Sequence, residues 1–155
     1  MILRNLMFGL PATLVCVALQ VTFAYWSVRY YVHHSIAAPR DSGIWPLMAA
    51  MLIMMSGTIL QISLWAALFV GLDEFDEFYE AVYFSTVNFS SLGYGDVVMT
   101  RPWKLLGPLE SLCGVLMLGM TAAALMVILQ QMIRSHRGAL EPPADGRQAP
   151  PAQGP

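Results

Sequence analysis

Charge is scarce in this chain. Only 12% of its 155 residues are Asp, Glu, Lys or Arg, whereas a soluble domain carries about 25%. That excludes a large water-soluble domain. Cysteine is nearly absent as well, with only Cys16 and Cys113. Both lie inside apolar runs, so neither a disulfide framework nor a zinc site is indicated, and they read as small packing residues. His33 and His34 are adjacent, but no carboxylate or cysteine stands at a helpful spacing, and they read as solvated or interfacial. No phosphate loop, catalytic triad or acid–base pair appears. No enzymatic activity, cofactor, small-molecule substrate or nucleic-acid partner is therefore expected. No apolar run carries the repeated arginines of a voltage sensor, and there is no internal repeat.

What the chain has in abundance is apolar sequence: 57% of residues are hydrophobic and the mean hydropathy is +0.58. Crossing a bilayer takes about 20 apolar residues, and three runs qualify. Leu6 to Val28 is uncharged, between Arg4 and Arg29. Ile44 to Leu72 is uncharged, with Pro46 suited to a first helical turn and Gly71 as its stop. Leu105 to Ile133 carries one charge, Glu110. Within it, Pro108 either kinks the helix or marks its true beginning. The first run resembles a signal peptide, but it is long for one. Its removal would also put the basic end of the third run, Arg134, His136 and Arg137, outside. A retained span is expected.

Basic flanks favour the cytoplasmic side. Three spans then place the N-terminus outside, the polar connection with Arg29 and Arg40 inside, and the C-terminal tail in the cytoplasm of a cell (inner) membrane protein. The expected division is a first span with its connection over 1–43, a second unit over 44–137, and a disordered tail over 138–155. The tail holds five prolines in 18 residues, too proline-rich and polar to fold alone.

Between the second and third runs the pattern changes. Five acids, Asp73, Glu74, Asp76, Glu77 and Glu80, fall within eight residues. Glu77 to Phe89 is aromatic and helix-compatible but too short to span, which suggests a re-entrant or buried half-helix. Asp76 is positioned to cap its start, and the nearby acids suit its positive end. The sequence Ser90-Ser91-Leu92-Gly93-Tyr94-Gly95-Asp96 follows at once. Non-helical backbone at membrane depth must be buried in protein or line a wet cavity. Glycine accepts positive φ, and glycines at alternate positions let successive carbonyls point the same way. A row of such carbonyls replaces the hydration shell of a cation.

Residues 79 to 96, YEAVYFSTVNFSSLGYGD, resemble the pore helix and selectivity filter of pore-loop potassium channels, and the likeness extends over roughly residues 46 to 134. The family's usual Thr-Val-Gly-Tyr-Gly-Asp reads Ser91-Leu92-Gly93-Tyr94-Gly95-Asp96 here. The resemblance implies an all-α fold of three transmembrane helices plus a re-entrant pore helix and filter loop, assembled as a homotetramer in the lipid bilayer. It implies that the carbonyls of Ser91, Leu92, Gly93 and Tyr94 coordinate K+, the permeant ion, with the Ser91 hydroxyl as the innermost ring. The Tyr94 ring would brace on Tyr83 and Phe84, and Asp96 would stand at the outer mouth. The acidic run would ring that mouth and concentrate cations.

Serine for threonine at 91 and leucine for valine at 92 remove a methyl group and a β-branch, which loosens the filter. A nonselective cation channel of the same build stays open as an alternative, and so does a non-conducting scaffold subunit. Phe84 has no polar atom for Asp96 or Tyr94 to bond. Glu110 either braces the filter, near Asn88, or sits by the interface and reaches water. Gly114 and Gly119 are either hinges or close-packing positions of the third span.

Overall fold

The computed structural model describes residues 2–37 and 44–140. Four helices account for most of them: α1 Ile2–Ala37, α2 Ile44–Gly71, α3 Phe78–Phe89 and α4 Leu106–Leu140. No strand occurs among the described residues. Segments long and apolar enough to cross a bilayer lie at Ile2–His34, Ile44–Gly71 and Leu106–Arg134. The 12 residues of α3 make about 18 Å of helix, too short to cross. The chain is an all-helical, multi-pass membrane protein.

Several boundaries differ from expectation, each for a local reason. The connection expected from Arg29 onward begins later, because α1 runs through His33 and His34 to Ala37. Polar residues do not stop a helix that has no breaker, and here the Arg29 guanidinium donates one turn back to the Tyr25 hydroxyl at 2.9 Å. Residues 38–43 lie outside the described residues. Pro108 falls in the first turn of α4, where a missing N–H leaves no helical bond broken, so the helix begins there. At its other end α4 continues to Leu140, past the expected tail boundary, and 141–155 lie outside the described residues. Asp76 does not cap α3: the N-cap residue is Glu77, and its side chain makes no capping bond.

The N-terminal helix is fully integrated with the others, packing on both α2 and α4. Helices approach closely in lipid where small residues meet. A β-carbon on Gly57 would stand 2.7 Å from the Phe23 ring, and one on Gly9 2.8 Å from Leu109. Polar contacts add direction. Asn5 donates to the Pro102 carbonyl at 2.8 Å, and Ser27 donates to the Ala50 carbonyl at 2.9 Å. The Arg4 guanidinium lies 4.4 Å from the Trp103 ring centre, and Phe8 meets the same indole edge-on at 5.6 Å.

The short helix α3 is held between α2 and α4. Phe84 anchors it in an aromatic cluster, 5.5 Å from Phe69 and 5.2 Å from Phe75. Its far end is set by α4. There a β-carbon on Gly114 would stand 2.0 Å from the Phe89 carbonyl oxygen, a backbone atom that cannot rotate away. Gly114→Ala is expected to push α4 off α3 and lower stability by roughly 1–3 kcal/mol. The check is the thermal unfolding midpoint in detergent, and an unchanged midpoint would contradict this contact.

Candidate functional site

The site begins where α3 ends. A helix leaves its last carbonyls without partners, and here the following backbone turns in to use them. Ser90 N–H donates to Thr86 O at 3.1 Å, Ser91 N–H to Asn88 O at 2.8 Å and Leu92 N–H to Val87 O at 3.0 Å. Gly93 N–H reaches the same Val87 oxygen at 3.5 Å. Ser90 adds its hydroxyl to Thr86 O at 2.6 Å. From the other side, the Ser111 hydroxyl of α4 donates to Asn88 O at 2.7 Å. The amides of residues 91–93 are thereby tied to the half-helix. No backbone N–H among the described residues donates to the carbonyls of residues 91–94.

The dihedrals alternate in sign. Ser91, Gly93 and Gly95 have φ of 59°, 58° and 76°, while Leu92 and Tyr94 between them stay at negative φ. Such alternation turns successive peptide planes so that amides collect on one side and carbonyls on the other. The two glycines adopt this region freely. Ser91 does not: a left-handed L-residue costs about 1–2 kcal/mol. Its positive φ is a feature the sequence reading missed, since serine carries no signal for it.

Tyr83 and Asp96 are brought together. The Tyr83 hydroxyl donates to Asp96 Oδ2 at 2.6 Å, which ties the far end of the stretch to the middle of α3. This is the polar partner for Asp96 that Phe84 lacks. Asp96 Oδ1 also accepts from the Val97 N–H at 3.0 Å. The Tyr83 bond holds the Asp96 carboxyl below its ordinary range, and the same bond raises the Tyr83 phenol. Tyr94 is 68% exposed. Behind the stretch lies a cavity of about 240 Å³ bounded by Tyr83, Phe84, Gly93, Gly95 and Asp96.

The other singled-out residues take distinct places. Glu74 accepts from both the backbone N–H and the hydroxyl of Thr100, at 2.7 Å for the latter, so it fastens the loop before α3 to the loop after Asp96. The sequence offered no sign of that pairing across 26 residues. Asp73, Asp76, Glu77 and Glu80 are exposed near the start of α3. Glu110 does not reach water: it is 0% exposed, and neither of its oxygens has a hydrogen-bond partner. Its polar neighbours are Ser85 and Asn88 of α3, whose hydroxyl and amide nitrogen also lack partners. Gly114 is a contact glycine, pressed on Phe89, whereas nothing stands within 4 Å of a β-carbon on Gly119.

The Tyr83–Asp96 bond makes a pH prediction. Asp96 titrates below its ordinary value in the fold, so its contribution is present above about pH 4 and is lost as pH falls through the lowered value. Tyr83 titrates above its ordinary value, so its contribution is present below about pH 10 and is lost as pH rises through the raised value. The contribution of this pair to stability is expected to be constant across this window, and Tyr83→Phe is expected to lower stability throughout it. Thermal unfolding midpoints of wild type and Tyr83→Phe in detergent at several pH values check both, and a difference between the two that changes sharply near neutral pH would contradict the assignment.

A family model described as ion channel matches residues 47–131, from the first turns of α2 through most of α4. No curated protein and no solved structure matches the chain. The matched span takes in the half-helix, the sign-alternating stretch and both flanking helices, and it is more than half of the chain. On that match the protein belongs to the pore-loop ion channel family and is a membrane transporter of ions.

Proposed function

We propose that the protein is a potassium-selective channel that conducts K+ passively through rings of backbone carbonyls. The observation that carries the reading is the alternation of φ at Ser91, Gly93 and Gly95, with the amides of residues 91–93 taken up by α3. Carbonyl oxygens left unpaired in a row suit a dehydrated monovalent cation. The residues assigned to the ion are Ser91, Leu92, Gly93 and Tyr94, with Gly95 setting the last turn. One chain supplies one row, and a closed ring needs cyclic symmetry, so the assembly is read as a homotetramer. An exposed Tyr94 ring and the cavity behind the stretch are complementary parts that neighbouring copies would pair. Asn88 and Glu110 are read as support behind the filter, and the exposed acids before α3 as a cation-attracting rim.

The chain is read as lying in a cell (inner) membrane, N-terminus outside and C-terminus cytoplasmic, with the half-helix entering from outside. The nonselective alternative draws on Ser91, which holds a strained φ without a β-branch to fix its side chain. Purified protein in liposomes separates the two. Barium-blockable K+ flux should exceed Na+ flux by at least about tenfold, a difference of roughly 1.4 kcal/mol between the ions. Gly95→Ala, which forces a side chain to a φ of 76°, should abolish the flux. Equal K+ and Na+ flux would support the nonselective pore, and no flux from the wild type would support the scaffold.

A further inference from the structure

We infer that Gln20 of α1 splints α4 across Gly119, with Gln61 of α2 aiming it, so that the N-terminal helix governs how α4 bends at that turn. This rests on the conducting reading above.

Both glutamines are 0% exposed in the middle of apolar helices. A buried amide is unfavourable unless it is bonded, and these two are linked in a directed chain that leaves Gln61 Oε1 without a partner. Gln61 Nε2 donates to Gln20 Oε1 at 2.8 Å. Gln20 Nε2 donates to the Thr121 hydroxyl at 2.8 Å and approaches the Met117 carbonyl at 3.4 Å. The Thr121 hydroxyl in turn donates a hydrogen bond to Met117 O at 2.9 Å. Three helices are joined, and each bond in such a chain polarises the next. Leucine would fill similar space without any polar group to satisfy, so packing alone does not explain the amides.

The attachment point is specific. Met117 and Thr121 are one turn apart, and Gly119 lies between them. That turn has two reasons to bend. Glycine lowers the resistance of a helix, and a threonine hydroxyl bonded to the carbonyl four residues back weakens and bends it. The buried residues of α4, among them Cys113, Met117, Ala124 and Ile128, face the other helices. Gly119 lies on the opposite, exposed side with Leu118, Ala122 and Ala123, and open space surrounds it. A pliable turn, free in front and pinned from behind by one side chain, is a place where α1 governs the shape of α4. Gln61 donates to Gln20 and makes no hydrogen bond to α4 among the described residues, so its part is to orient Gln20.

The test uses the full-length protein with Gln20→Leu and Gln61→Leu, read in two ways. In planar bilayers, Gln20→Leu should raise open probability about fivefold, the change that about 1 kcal/mol of lost interhelical hydrogen bonding converts to. Unit conductance and the K+/Na+ reversal potential should stay at wild-type values. Gln61→Leu should act in the same direction and more weakly, and the double variant should do no more than Gln20→Leu alone, as partners in one chain are non-additive. Amide exchange should quicken in residues 119–131 and not in 108–116. Unchanged open probability would overturn the inference. So would exchange that quickens evenly over α1, α2 and α4, which would make the glutamines general packing elements. If Gln20→Leu fails to assemble, Gln61→Leu carries the test, because the hydrogen bonds to α4 belong to Gln20 and not to Gln61. If the wild type passes no ions, the conducting reading fails, and the exchange pattern alone decides the splint.

Discussion

In a bilayer no water is available to backbone amides and carbonyls, and the rest of this structure depends on how that demand is met. In α1, α2 and α4 the helical bonds meet it. Between Ser90 and Asp96 the backbone is not helical, so its polar groups need other partners. The C-terminal carbonyls of α3 take the amides of residues 91–93. The carbonyls are left over, and the alternation of φ gathers them on one side. The proposed cation is the partner that such a side would take. Each remaining feature bears on this arrangement: Phe84 fixes α3, Gly114 and Ser111 seat α4 against its end, and Tyr83 secures the far end through Asp96.

Much of this was legible because it is periodic or compositional. Apolar length marks a span directly, and α2 begins and ends close to the limits that Pro46 and Gly71 suggest. A short aromatic helix before a glycine-alternating stretch is equally visible, because glycine at positive φ leaves a trace in the sequence. The parts that were hidden depend on tertiary contact. Ser91 at φ 59° looks like any serine. The Tyr83–Asp96 and Glu74–Thr100 bonds join side chains whose meeting only the fold decides. Gly114 and Gly119 look alike in sequence, yet one is pressed against a carbonyl and the other stands in open space.

The first helix shows the same limit more sharply. As a sequence it was an apolar run to be weighed against a signal peptide. In the fold it is buttressed along its length, by Arg4 and Asn5 at one end, by Gln20 in the middle and by Ser27 further on. Interhelical hydrogen bonds in membranes are worth about 0.6–2 kcal/mol each, too little to dictate a fold but enough to favour one arrangement of packed helices over another. Glutamine within an apolar run was the signal that was available, since a buried amide needs a partner on another helix.

The central claim is that the carbonyls of residues 91–94 form the cation site. Crystals grown with Tl+ in place of K+ test it most directly, because Tl+ has a similar size and scatters anomalously. The account predicts a column of anomalous peaks on the symmetry axis of a tetramer, each coordinated directly by carbonyl oxygens of Ser91, Leu92, Gly93 or Tyr94. Peaks held only by side-chain carboxylates such as Asp96 or Glu80, or no peaks along this stretch, would contradict it.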